Sequence, residues 1–368
     1  MVEWKKLGEF ATLQKKKNKK LLIENAYSIT QAGLVPTKSF FKEKTKVTSN
    51  DTSAYYIVEK DWFVYSPSRI DVGSINYLRD EGPVIVSPID VVFSVDSNIC
   101  IPAYLLDYLF TYKGKKDLLK NREGVEGMGR RNLPFDAIKG VQIPVPSLKE
   151  QTRIVGILDT FTSAIDNLKE QIAQRRKQYE YYRDELLDLE GKPGVEWKKL
   201  GDVANLVRGK VISKDYIRDF GGEYPVYSSQ TANDGVLGNI NNYMFDGDYL
   251  TWTTDGAHAG TIFRRKGKFS ITNVCGLIDI NYSNIQLDFL YFYLSKNAKD
   301  YVLEGMGNPK LMSNVASTIK IPIPSLQEQH RIVSILDTFE ASISNLEAQL
   351  KEREKQYEYY RNKLLTFE

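Results

Sequence analysis

Two stretches of this chain are near copies of one another. Residues 147–187 and 325–365, offset by 178 positions, are identical at 26 of 41 places. A duplication this close limits the possible folds more than any other feature, because the rest of the chain must be built around two like segments. In the first copy Ile154, Leu158, Phe161, Ile165, Leu168, Ile172, Arg175, Tyr179, Tyr182, Leu186 and Leu189 recur at spacings that alternate four and three. The second repeats the pattern with Ile332, Leu336, Phe339, Ile343, Leu346, Leu350, Arg353, Tyr357, Tyr360, Leu364 and Phe367. A 3.5-residue period sustained this far predicts a coiled-coil seam formed by Ile154, Leu158, Phe161, Ile165, Leu168, Ile172 and Tyr179 with Ile332, Leu336, Phe339, Ile343, Leu346, Leu350 and Tyr357. At 1.5 Å per residue each helix would be roughly 60 Å long, more rod than domain. Arg175 and Arg353 fall on the same spacing. They are expected either to lay their stems along the seam's edge or to fix its register.

The start of each helix is written into the sequence. Ser147 with Glu150, and Ser325 with Glu328, fit the capping box, in which serine and glutamate side chains satisfy free backbone N–H groups. Pro146 and Pro324 stand just before the cap, where a missing N–H costs nothing. Charge is divided unevenly. Residues 147–190 carry 7 basic and 9 acidic side chains, and 325–368 carry 6 and 8. Against an overall +3, the remaining chain is therefore +7. The rods are solvated and mixed; the globular parts are basic, which permits nucleic-acid binding.

The duplication extends past the helices. VEWKKLG occurs from Val2 and again from Val195, and VEGMG at 125–129 matches LEGMG at 303–307. Domains are expected at 1–146 and 195–324, helices at 147–190 and 325–368, and a linker at 191–194 (Gly-Lys-Pro-Gly). Between their shared ends the two domains barely resemble each other. Both show short β-like runs (56–58, 91–93, 249–252) broken by Gly, Asn and Asp turns, then a helix-like stretch at 104–110 or 288–294. The fold class expected is α+β, two mixed domains with mostly antiparallel sheet alternating with two long helices.

Enzyme signatures are missing from the sequence. No phosphate-binding G-x-x-x-x-G-K-[ST] occurs, Asn308-Pro309 is followed by Lys310-Leu311 rather than Pro-Tyr, and His258 and His330 are the two histidines. No metal site or nucleophile constellation is expected. Cys100 and Cys275 read as buried free thiols. No apolar run approaches 18 residues and the start passes directly into a repeated motif, so a cytoplasmic protein is expected.

IPVPSLKEQTRIVGILD from Ile143, IPIPSLQEQHRIVSILD from Ile321, the VEWKKLG starts and the Gly-Met-Gly before each rod together resemble the specificity (S) subunits of type I restriction–modification systems. The run from Tyr65 to Ile75 (YSPSRIDVGSI) also looks like a stretch found in one class of their target-recognition domains. The likeness covers the whole chain in its order of parts. It implies a non-catalytic subunit whose two domains each read half of an interrupted, non-palindromic DNA site. It implies helices packed as an antiparallel coiled coil with internal pseudo-twofold duplication, setting the unread spacer. It also implies two methyltransferase (M) subunits using S-adenosylmethionine, and motor–nuclease (R) subunits using ATP and Mg. A coiled-coil scaffold joining protein-binding domains, and a recognition subunit serving another methyltransferase–nuclease, are the competing readings.

Base edges are read by polar side chains, and affinity comes largely from phosphates. In the first domain Ser66, Ser68 and Arg69 are the leading candidates, since Pro67 tightens the loop and arginine forks onto guanine; an Arg69–Asp71 ion pair is the alternative. Tyr65, Asn76 and Tyr77 follow. In the second, Tyr227, Ser228, Ser229 and Gln230, Thr253 and Thr254, and Arg264 and Arg265 look like loop or edge donors, with Gln230 suited to adenine. His258 is included, although a structural hydrogen bond is its simpler role. Arg130, Arg131 and Lys310 suit phosphates. The basic run 15–20 reads as a solvated loop. Tyr179, Tyr181, Tyr182, Tyr357, Tyr359 and Tyr360 exceed what one seam needs, and some are expected to face an M subunit.

Overall fold

The computed structural model describes residues 2–30, 33–40, 51–79, 82–120, 133–305 and 307–367. They form two compact units, 1–169 with 348–368, and 170–347. Each unit therefore takes part of both long helices (Leu148–Leu186 and Leu326–Leu365), a division the linear order of domains does not suggest. Among the described residues no helix is long and apolar enough to cross a membrane.

One frame is built twice. In the first unit Glu3–Lys6 pairs antiparallel with Gln142–Val145, Glu3 opposite Val145. In the second, Glu196–Lys199 pairs with Lys320–Ile323, Glu196 opposite Ile323. The prolines at 144 and 322 are tolerated because these ribbons have only two strands. Each ribbon leads into a long helix whose first turn is half of the expected capping box. Ser147 Oγ accepts from the Glu150 N–H at 3.4 Å, and Ser325 Oγ from Glu328 at 3.3 Å. The glutamates do not reach back. They pair with Arg153 and Arg331, one turn on, and those guanidinium groups hold both carboxyls below the usual range.

The next residue locks the frame to its cargo. Gln151, fully buried, accepts from Ile101 N–H at 2.8 Å and donates to the carbonyls of Ile99 and Pro146, both at 2.9 Å. Gln329 repeats this with Gln286 N–H (2.9 Å) and the carbonyls of Asn284 (2.8 Å) and Pro324 (2.9 Å). The gripped segments start the helices Pro102–Leu109 and Leu287–Asn297, so each glutamine pins a domain helix to the base of a rod. Gln329→Leu would leave three backbone groups without partners. We expect it to cost about 3 kcal/mol, read as a fall in Tm of roughly 10 °C.

Within each unit the rods run antiparallel. In the first, Ile154 and Leu158 share the core with Leu365, and Phe161 stacks on Tyr360 at 5.2 Å. In the second, Ile332 and Leu336 meet Leu187 and Leu189, Tyr182 stacks on Phe339 at 5.5 Å, and Arg176 pairs with Glu347 at 2.6 Å. Ile165 and Ile172 are buried, whereas Phe161, Leu168, Tyr179, Phe339, Ile343, Leu346, Leu350 and Tyr357 are half-buried, as on a two-helix seam with solvent at its margins. Arg353 lies over Phe161 at 5.9 Å and Arg175 over Phe339 at 5.8 Å, as expected of long cationic stems laid along the seam's edge. The first helix ends at Leu186, so Leu189 packs from beyond it rather than along the seam.

The interiors of the two domains differ. The first holds a four-stranded antiparallel sheet, ordered Ala11–Gln14, Val91–Val95, Phe63–Tyr65, Ile75–Tyr77, packed on the Pro102–Leu109 helix. The second holds six strands, ordered Ala204–Arg208, Cys275–Ile280, Phe245–Thr253, Ile262–Ile271, Gly221–Tyr227, Val236–Ile240. Of these only the Gly221–Tyr227 and Ile262–Ile271 neighbours are parallel. Trp252 sits at its centre and donates to the Leu311 carbonyl at 2.9 Å. Gly276 is required beside it, since a Cβ there would lie 2.2 Å from the indole. Both cysteines are buried free thiols, and burial pushes each up to about 12.

Candidate nucleic-acid interface

In the first domain a turn carries the leading candidates. Ser66 N–H donates to Ser74 O at 3.0 Å, Arg69 N–H to Ser66 O at 3.0 Å, and Gly73 takes the left-handed φ of 84° that closes the loop. Pro67 is buried, its carbonyl accepting from Leu133 N–H at 3.3 Å. Ser68 and Arg69 are left exposed and Ser66 half-exposed, a rigid display of a guanidinium and a hydroxyl. Behind it, three candidates turn inward. Tyr65 is fully buried and donates to Leu133 O at 2.9 Å, and burial raises its phenol far above the usual value. Asn76, 1% exposed, accepts from Tyr77 N–H (3.0 Å) and Arg79 Nη1 (2.8 Å). Tyr77 is half-buried against Phe63, with Arg79 over its ring at 4.3 Å. These strands are covered on both faces, so period-two alternation does not send their polar groups to solvent.

The second domain redistributes its candidates similarly. Thr253 and Thr254 are fully buried. Thr253 Oγ1 donates to the His258 carbonyl and accepts from Thr261 N–H at 3.0 Å, closing the 253–261 loop, while the His258 ring is exposed. Gln230 Nε2 donates to Val236 O at 2.5 Å, which removes its amide from adenine pairing. Ser228 Oγ accepts from Gln230 N–H at 3.4 Å, and Ser228 and Ser229 are half-exposed. Tyr227 serves as a shelf for Arg265, whose guanidinium lies 3.6 Å from the ring centroid. Lys310 is exposed, its backbone exchanging two hydrogen bonds with Leu303. Arg130 and Arg131 lie outside the described residues.

Arg264 and Arg265, adjacent on one strand, project in opposite senses, and neither is a free donor. Arg264 pairs with Asp288 (2.8 Å), Asp337 (3.0 Å) and Glu340 (3.4 Å), and stacks on Tyr291 at 4.1 Å. It ties the sheet to the second long helix. Tyr179 completes this hub by donating to Glu340, whose carboxyl is raised by burial against the opposing pull of Arg264. The first unit uses the equivalent tyrosine, Tyr357, which donates to Asp107 at 3.4 Å. Burial, reinforced by Asp159, pushes the Asp107 carboxyl up to about 7.

Two elements of this arrangement are not anticipated by the sequence. Gln151 and Gln329 were visible in principle, standing three residues before the first seam position in both copies. Two of the acidic partners of Arg264, Asp337 and Glu340, lie more than seventy residues away in sequence and leave no local signal. Of the basic run, Asn18 is buried and bonds Ile23 O at 2.8 Å, and Lys16 pairs with Glu59 at 2.6 Å; Lys15, Lys19 and Lys20 are exposed.

The rods carry one surface group in duplicate. Arg353, Tyr359 and Tyr360 surround Phe161 beside a groove of about 680 Å³ in the first unit. In the second unit Arg175, Tyr181 and Tyr182 stand in the same way around Phe339. Tyr181 and Tyr359 are 65% and 59% exposed, more than burial in a two-helix seam would allow.

A family model, the type I restriction modification DNA specificity domain, matches residues 1–175 and 194–355. A Mycoplasma pneumoniae chain named as a type I specificity subunit, S.MpnORF365P, is 38% identical over 247 residues, 64% of this chain and 90% of that one. The Escherichia coli EcoR124I/EcoR124II specificity subunit is 28% identical over 306 residues, 76% of this chain and 74% of its own. Among solved structures, the type I S subunit from M. genitalium shares the fold at TM-score 0.61 and 17% identity, covering 100% of this chain and 97% of that one.

Proposed function

The chain belongs to the family of type I restriction modification DNA specificity domains, matched in both of its repeats, and from that premise we propose that it is the DNA-recognition subunit of a type I restriction–modification complex. One observation carries the reading: the same ribbon, glutamine lock and rod occur twice, around a four-stranded interior in one unit and a six-stranded interior in the other. Identical frames with different cargo suit two modules with one task and two targets. Each domain reads one half of a bipartite, non-palindromic duplex site, and the +7 outside the rods supplies attraction to phosphate. Among the described candidates, Ser68 and Arg69 in the first domain and His258 and Lys310 in the second are exposed, and Ser66, Ser228 and Ser229 are half-exposed.

The chain itself is non-catalytic in this reading. Methylation and cleavage reside in methyltransferase and motor–nuclease subunits, which bring S-adenosylmethionine, ATP and Mg. The helices set the unread spacer. The duplicated Phe–Tyr–Tyr–Arg groups supply matching surfaces for two methyltransferase subunits, being of the residue types that anchor interfaces.

Methylome sequencing of cells with and without the gene, beside its methyltransferase partner, tests the proposal. The expected result is a gene-dependent interrupted motif with one methylated adenine in each half. An expressed, active partner with no gene-dependent motif would refute it.

A further inference from the structure

Three consecutive residues of the second unit hold left-handed backbone: Asn233 at φ 51°, Asp234 at 50° and Gly235 at 79°. Such a conformation disfavours residues with a Cβ, and two of them in succession persist only where the surroundings enforce it. The enforcing group is Arg265. Its side chain is 1% exposed and lies between the rings of Tyr227 and Phe263, 3.6 and 4.4 Å from their centroids. Nε donates to Thr251 Oγ1 at 3.1 Å and Nη1 to Asp234 Oδ2 at 2.7 Å. A Cβ on Gly235 would come within 3.0 Å of Nη2, so the glycine lets the turn settle onto the guanidinium. Ser228 N–H to Gly235 O (3.0 Å) and Gln230 to Val236 O close the loop beneath it.

A buried arginine and two strained residues would be a costly way to make a plain surface turn. The arrangement holds Asn233 exposed and the Asp234 side chain 71% exposed in one conformation. It also cancels the aspartate's charge, which would otherwise be repelled by phosphate. We infer that Asn233 and Asp234 form a base-reading tip of the second domain, and that Arg265 is its positioning residue. The inference rests on the DNA-recognition reading above. The chemistry recognised is an exocyclic amino group in the major groove, cytosine N4 or adenine N6, donated to the carboxylate oxygen that Arg265 does not hold. Arg265 touches no base.

Selection of duplexes from a randomised pool by the full chain with its methyltransferase subunits tests this. Asp234→Ala should lose roughly tenfold in preference at one position of one half-site, leaving all other positions unchanged. The base lost there, cytosine or adenine, identifies the amino group. Arg265→Lys, which keeps the charge but not the fork, should relax that same position. If Asp234→Ala retains the wild-type motif, or weakens every position equally as a merely structural turn would, the inference is overturned. Because Asp234 is mostly exposed, that variant decides the matter even if Arg265→Lys fails to fold. A wild-type chain that selects no bipartite motif would instead refute the parent proposal.

Discussion

Leu158→Asp combined with Leu336→Asp is expected to abolish the folded chain. The two leucines are 1% and 0% exposed, and each belongs to the main core of its own unit. An aspartate at either site would lie in a hydrophobic core, so it must either stay ionised in an apolar medium or take up a proton. Either way the cost is several kcal/mol per site. A domain has only about 5–15 kcal/mol to lose. Size-exclusion elution should shift from a single peak to aggregate, and the thermal transition should disappear. An unchanged elution profile would mean that these positions do not join rod to domain.

Exchanging residues 201–312 for the corresponding segment of a relative should replace one half of the recognised motif completely and leave the other half untouched. The cuts fall just inside the Glu196–Lys199 and Lys320–Ile323 ribbon, so the frame that meets the rod is kept, and the six-stranded sheet with its Trp252 core travels intact. Arg264 is the exposed flank of this design. Its pairs with Asp337 and Glu340 cross the cut, and a donor lacking a cation there would leave the half-buried Glu340 without its cationic partner. Donors with arginine at that position should therefore yield better-behaved hybrids. Methylome sequencing of the hybrid gives the result directly. A change in both half-sites would show that readout is not modular.

The frame was legible from the sequence, whereas which polar candidates lie buried was not, for physical reasons. A rod declares itself through a period repeated many times, and a duplication lets each copy check the other, so the seam from Ile154 to Tyr179 emerged with its orientation toward the core. The β-like runs expected at 56–58 and 91–93 fall in strands Tyr56–Val58 and Val91–Val95, and the helix-like stretches expected at 104–110 and 288–294 overlap the helices Pro102–Leu109 and Leu287–Asn297. Polar side chains in the domains gave no such redundancy. Whether Asn76 or Thr254 faces water depends on what covers a sheet, and that is decided by segments distant in the chain. Arg264 and Arg265 resembled a donor pair because adjacent cations suggest a basic patch, whereas strand alternation sends one to a helix and the other beneath a loop. The left-handed Asn233-Asp234 pair was hidden among ordinary turn residues.

The glutamine lock has a consequence for how such chains change over time. Gln151 and Gln329 grip the segments they hold through main-chain hydrogen bonds, to an N–H and a carbonyl from each domain. In one case the gripped residues are Ile99 and Ile101; in the other they are Asn284 and Gln286. The fastener is thus blind to the identity of what it fastens, asking only for an extended strand of peptide at the right place. A lineage can rewrite nearly everything a domain presents to its target while the joint keeps the same strength, so novelty in recognition need not be matched by any compensating change in the shaft.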